Sequence, residues 1–119
     1  NVSNLMTKVQ NKAEFNDLNE PKVVFDNKKF ALYFSRCPIP SPWLKFQTAY
    51  KQVCAIPFRR NYLLKFNKLK PTSLEILESI DMNRILQSGG EIKMVEINDY
   101  VKSVDTLKDL KYVEKLIIK

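Results

Sequence analysis

The densest set of groups able to carry charge or protons lies between Ser73 and Gln87, where Glu75, Glu78, Asp81 and Arg84 fall close together. Read as one helix at about 100° per residue, this segment places Ser79, Asn83 and Gln87 on one narrow face. Leu74, Leu77, Met82 and Ile85 fall opposite, and the charged residues lie among them rather than with the neutral polar strip. Charges inside an apolar arc point to a cleft, where partners must offset their burial. Carboxylates so placed accept hydrogen bonds from hydroxyls and can hold a polyhydroxylated sugar. The plainer reading is a helix at the edge of the core, with Asp81 and Arg84 paired at i,i+3.

Two further residues stand at junctions where ligands bind. Arg36 closes an apolar and aromatic run just before a proline-rich stretch. Its guanidinium could clamp a carboxylate through two parallel hydrogen bonds, or pair with a surface acid at the strand end. Asp105 precedes the last helical pattern; it can cap that helix, serve as a metal carboxylate at a strand-to-helix junction, or do both. Arg59 and Arg60 follow a strand and read as surface or phosphate-facing groups. The sequence has no histidine. That excludes Ser-His-Asp and Cys-His catalysis and the common zinc sites. A metal here would be a hard cation held by carboxylates and phosphate, foremost Mg²⁺.

The elements that must position these residues alternate between strand and helix. Leu5 to Val9 reads as a short strand, and Asn11 to Glu20 as polar turn material. Lys22–Asp26 and Phe30–Arg36 are β-branched and aromatic runs around Asn27-Lys28-Lys29, which reads as a hairpin. The prolines of Cys37 to Pro42 then remove ladder donors and predict an exposed loop ending near Trp43. Tyr50–Phe58 reads as a strand and Arg59–Asn67 as a short helix. Thr72 to Glu75 fits a capping box that opens a helix running to about Ser88, stopped by Gly89-Gly90. Glu91–Ile97 is a strand. Asp105 or Thr106 caps a last helix with Leu107, Leu110, Val113 and Ile117 at helical spacing. The pattern predicts one α/β domain over residues 1–119 with a mixed sheet, and a protruding hairpin suited to be a dimerisation arm.

Composition bounds the partners. The chain has 119 residues, 45% hydrophobic and 28% charged, with net charge +7. Its lysines are spread along the whole length, which reads first as a solvated basic surface rather than a nucleic-acid stripe. No run reaches the ~20 apolar residues that span a bilayer. Asn1 lacks both an initiator Met and a signal-peptide pattern, so the start reads as a cut end. Cys37 and Cys54 are the only cysteines. They read as free thiols in or beside buried strands of a cytoplasmic protein.

Taken in order, the segments resemble the 3-deoxy-manno-octulosonate (Kdo) cytidylyltransferases. That family carries a K-V-V-x-D segment, matched by Lys22 to Asp26. Its Y-A-L-Y-F-S-R-x-x-I-P segment is matched by Phe30 to Arg36 with Ile39-Pro40. A strand ending in Y/F-R stands here as Phe58-Arg59, a P-x-x-L-E-x-x-E helix as Pro71 to Glu78, and a closing V-D-T-x-x-D-L as Val104 to Leu110. The resemblance implies the C-terminal half of a Rossmann-like nucleotidyltransferase with an α/β/α fold. Such an enzyme joins CTP to an acidic keto-sugar, releasing pyrophosphate and forming a CMP-sugar for surface polysaccharide synthesis. It also implies a homodimer built largely from this half, Arg36 on the sugar carboxylate, Gln52, Glu78 and Asp81 in the sugar pocket, and Asp105 on Mg²⁺.

The sequence departs from the family in two ways. The nucleotide-binding half, with its phosphate loop and Q-G-D-E-P motif, is absent, so these residues alone should carry no catalytic group and give no turnover. Gln52 stands where the family usually has His, Ile56 where it has Tyr, and Met82 where it has Gln. Those changes imply a related substrate, such as an amino-substituted Kdo or another ulosonic acid. The competing readings are a non-catalytic sugar-binding or dimerisation module, an acylneuraminate-type CMP-sugar synthetase and, last, a nucleic-acid-binding domain.

Overall fold

In a computed structural model, which describes residues 1–43 and 48–118, the chain opens with β1 (Ser3–Lys8). This strand can sit inside a sheet because Asn4, Met6 and Thr7 are all buried. The polar stretch after it is not only turn material. Asn11 accepts from the Glu14 amide and caps a short helix, α1 (Lys12–Asn16), which sets Phe15 into a small cluster with Val9 and Ala49.

β2 (Lys22–Phe25) and β3 (Ala31–Ser35) form the expected hairpin. The Asp26 carboxylate accepts from the Lys28 and Phe30 amides and closes its turn. The hairpin does not project. Val23 and Phe34 are fully buried, and the turn bonds to the start of the last strand through Ala31 N–H to Ile92 O and Met94 N–H to Lys29 O. Completely burying a Phe side chain stabilises by about 2–3 kcal/mol, which favours a hairpin laid on the core over a free arm. The proline loop is open as expected: Trp43 is 90% exposed.

β4 (Tyr50–Gln52) is shorter than the predicted strand. Beyond it the chain follows β1 irregularly, bonding through Leu5 N–H to Ala55 O and Ser3 N–H to Pro57 O, with an isolated bridge between Val2 and Phe58. α2 (Arg60–Lys68) lies near its expected place. The single helix expected from Ser73 to about Ser88 is two: α3 (Ser73–Glu78) and α4 (Met82–Gln87). Between them Ser79 takes the left-handed conformation, φ 54° and ψ 45°, which reverses the chain and drops Ile80 into the core. Gly89, at φ 82°, ends α4.

β5 (Lys93–Glu96) runs parallel to β1, while the other pairings are antiparallel. The sheet is therefore mixed, five strands in the order β3-β2-β4-β1-β5. Its core joins Met6, Val23, Phe34 and Met94 to Ile80, Met82 and Ile85 from the broken helix, with Tyr62 and Phe66 of α2 packed against them. α5 (Leu107–Ile117) begins at Thr106, whose hydroxyl accepts from the Asp109 amide in a capping box. Asp105 is not the cap. Leu107 and Ile117 on this helix are each 77% exposed. Among the described residues no helix is long and apolar enough to cross a membrane.

Candidate functional site

Arg36, at the end of β3, is the centre of the site. Its Nε donates to Glu78 O at 2.7 Å, one Nη to Ser79 O at 2.9 Å, and the other to Leu18 O at 3.1 Å. A helix C-terminus leaves carbonyls without intrahelical donors, and a cation is well placed there. Arg36 thus caps α3 at the left-handed break. A guanidinium has five N–H groups, so after these bonds two remain without a partner among the described residues.

Glu78 braces that arrangement. Its Oε1 accepts from Tyr33 OH at 3.0 Å and Ser35 Oγ at 2.9 Å, and its Oε2 from the Arg36 amide at 3.0 Å. Burial works against its ionised form, but the Arg36, Ser35 and Tyr33 hydrogen bonds outweigh it and hold the carboxyl below its ordinary value. Burial and the Glu78 hydrogen bond push the Tyr33 phenol up. Glu78 was expected in the sugar pocket; its carboxylate is instead spent on β3.

Two adjoining cavities, of about 500 Å³ and 310 Å³, share Pro21, Arg36, Gln52 and Cys54 and so form one cleft. The larger is completed by Glu75, Ile76, Ser79, Ile80 and Asp81. The smaller is completed by residues that include Glu20, Lys51, Ser103 and Asp105. The fold therefore brings Arg36, Gln52, Asp81 and Asp105 to one cleft and leaves Glu78 behind its wall. Asp81 is exposed, and its carboxylate accepts no hydrogen bond among the described residues, while its main-chain carbonyl accepts from the Arg84 amide at 3.0 Å. It does not pair with Arg84. That arginine reaches back across the break to Glu75, at 2.6 Å and 2.8 Å, and lies 4.6 Å over the Phe66 ring.

The floor of the cleft is charged and tightly bonded. Lys51, 2% exposed, pairs with Glu14 at 3.1 Å and Glu20 at 3.6 Å. Glu20 pairs in turn with Lys102, and Lys102 with Asp109. The Ser103 hydroxyl lies 2.8 Å from Asp105 and 3.2 Å from Glu20, tying Asp105 to this ladder. Cys54 is exposed, as is Cys37; both thiols are free. Although the residue is exposed overall, partial desolvation of the Cys54 thiol against the cleft raises it, and the nearby Asp105, Asp81 and Glu20 carboxylates raise it further.

Two residues that shape the site were not among the site residues expected from the sequence. Asn83, 1% exposed, accepts from the Phe34 amide at 3.2 Å and donates to the Phe34 carbonyl at 2.9 Å. It takes the place of a neighbouring strand along the edge of β3. Asn4, fully buried, holds Gln52 from below through a 2.7 Å bond.

Comparison with known proteins supplies the deciding observation: the family model described as Cytidylyltransferase matches residues 1–110. The chain belongs to the cytidylyltransferase family.

Relatives agree. It is 34% identical to a 3-deoxy-manno-octulosonate cytidylyltransferase of Fusobacterium nucleatum, over 94% of this chain and 46% of the relative. It is 36% identical to that of Flavobacterium johnsoniae, over 98% and 48%. The solved structure of CMP:2-keto-3-deoxy-manno-octonic acid synthetase complexed with CTP superposes with a TM-score of 0.85 at 30% identity, covering 98% of this chain and 48% of that one. This cytidylyltransferase chain spans about half the length of the curated relatives it matches.

Of the three positions where the chain departs from the family pattern, only Gln52 lines the cleft. Met82 is 1% exposed in the core, and Ile56 packs against that core. As for Mg²⁺, Asp105 offers one carboxylate, but among the described residues no group of three or more His, Cys, Asp or Glu side chains could hold a metal.

Proposed function

We propose that this chain is the sugar-acid-binding part of an enzyme that joins CTP to an acidic keto-sugar, Kdo or a related ulosonic acid. The products are the CMP-sugar and pyrophosphate. The observation that carries this reading is Arg36: a guanidinium fixed by three carbonyls, with two N–H groups left and a wall of hydrogen-bond acceptors beside it in one cleft. A planar fork with two spare donors matches a carboxylate. Gln52 and Asp81 then meet the sugar hydroxyls, while Glu78 acts as a positioning residue behind Arg36. Holding the sugar in this way sets its anomeric hydroxyl for attack on the α-phosphate of CTP, a reaction in which positioning supplies much of the rate.

Mg²⁺ enters this reading only through Asp105, with its remaining ligands drawn from groups other than these residues. A homodimer, a cytoplasmic site of action and a role in surface polysaccharide synthesis belong to the same proposal. The test is pyrophosphate release from CTP and Kdo by the full-length protein that contains this chain. Release that requires both substrates is the expected result, and residues 1–119 alone should give none. Turnover by these residues alone would show that the chemistry is housed here. Absence of release with every keto-sugar acid tried would sink the enzyme reading.

A further inference from the structure

We propose that Asn4 locks the side-chain amide of Gln52 so that the cleft is offered a hydrogen-bond acceptor, and that the substrate group bound there is therefore an O–H or N–H donor. This rests on the sugar-acid reading of the cleft.

The geometry leaves one orientation for each amide. Asn4 Nδ2 lies 2.8 Å from Val53 O and 3.0 Å from Leu5 O. A main-chain carbonyl can only accept, so the Asn4 atom facing these two must be its NH₂ group. The other end of the Asn4 side chain is then its carbonyl, and the Gln52 atom 2.7 Å away must be a donor, Nε2. The main chain of Gln52 is pinned as well, its amide donating to Pro21 O at 2.8 Å.

Oε1 of Gln52 is the atom left over. Gln52 is 8% exposed and Asn4 fully buried, so neither amide can turn over without setting buried acceptors against each other, Gln52 Oε1 on Asn4 Oδ1 or Asn4 Oδ1 on the Val53 and Leu5 carbonyls. Among the described residues Oε1 has no hydrogen-bond partner, and Gln52 lines both parts of the cleft beside Arg36. A hydroxyl, an amine or an amide N–H satisfies that oxygen. A ring ether, a keto oxygen or a methyl ether leaves it unpaired. Asn4 is thus a positioning residue for substrate selection, one strand removed from the ligand.

The test uses the full-length enzyme with CTP and Kdo, and with Kdo analogues in which single hydroxyls are removed or methylated. The native enzyme should discriminate against the analogues altered at one position by about tenfold, the ratio one hydrogen bond between neutral groups can supply. Gln52→Met keeps the length of the side chain and removes the acceptor. It should abolish that ratio while leaving discrimination at the other positions intact. Asn4→Ala, which frees the amide to rotate, should lower the same ratio, with no further loss in the double variant.

A Gln52→Met enzyme that melts like the native one, turns over and keeps the full ratio overturns the proposal and leaves the cytidylyltransferase reading standing. A native enzyme that releases no pyrophosphate with Kdo or any other keto-sugar acid overturns both. If Asn4→Ala does not fold, the Gln52→Met comparison decides alone.

Discussion

The Glu78 carboxylate takes hydrogen bonds from Tyr33, Ser35 and the Arg36 amide, while its own carbonyl receives Arg36 Nε. Every donor is aimed at a carboxylate, so an amide of the same shape must turn its NH₂ toward at least one of them. Glu78→Gln should therefore loosen Arg36 without removing any group from the cleft. The expected result in the full-length enzyme is a KM for the sugar raised about tenfold with a smaller change in kcat, and stability lower by about 1–3 kcal/mol. Steady-state kinetics and a thermal melt check both. An unchanged KM beside a lowered melting point would mean that Arg36 holds its place without Glu78. The residue types of the site were legible in the sequence, because Arg36 and Asp105 are charged groups at element boundaries and Asp81 is a charge set among the apolar residues of a helical pattern. The role of Glu78 was not. A carboxylate facing a ligand and one facing three donors of its own chain look alike until the fold decides what stands opposite.

At the scale of elements, the break at Ser79 decides most of what the sequence concealed. Continuous helix over 73–88 satisfies the capping box at Thr72 and the stop at Gly89, so both ends were legible. The interior was not, because nothing in Glu78-Ser79-Ile80 forbids a helix. Arg36 bonding the Glu78 and Ser79 carbonyls, and the burial of Ile80, come from residues distant in the chain. The consequence is that Leu77, placed on the apolar face by helical spacing, is 80% exposed, while Asn83 on the polar face is buried. The αL conformation costs a residue other than glycine roughly 1–2 kcal/mol. Glycine gives part of that back as entropy lost on folding. Ser79→Gly should thus raise stability by about 0.5–1 kcal/mol, seen as a melting point higher by roughly 2–5 °C. A lower melting point would mean that the Ser79 side chain contributes more to the break than its backbone strain removes.

For the molecule as a whole, the groups that tie its parts together are carboxylates held ionised by cations from other elements. Hydrogen bonds from Arg84 hold Glu75 below its ordinary value and join α3 to α4. Lys102 and Thr106 hold Asp109 down to about 2 and fasten α5 to the ladder that ends on Lys51. Glu78 is lowered as well. A carboxylate with a lowered pKa in the folded state stabilises the fold above its unfolded value, and that contribution is lost as pH falls through the folded value, because the unfolded chain binds the proton first. The melting point should therefore be flat from pH 7 to about 5. It should fall below pH 4.5 and keep falling toward about pH 2, where Asp109 itself takes a proton. Glu75→Gln should start lower at pH 7, by about 1–2 kcal/mol. Its decline from pH 5 to 3 should be shallower than that of the native chain, since the variant has no Glu75 proton left to take up. Parallel declines for the two proteins would place the acid sensitivity in the α5 ladder and Glu78 rather than at the α3–α4 junction.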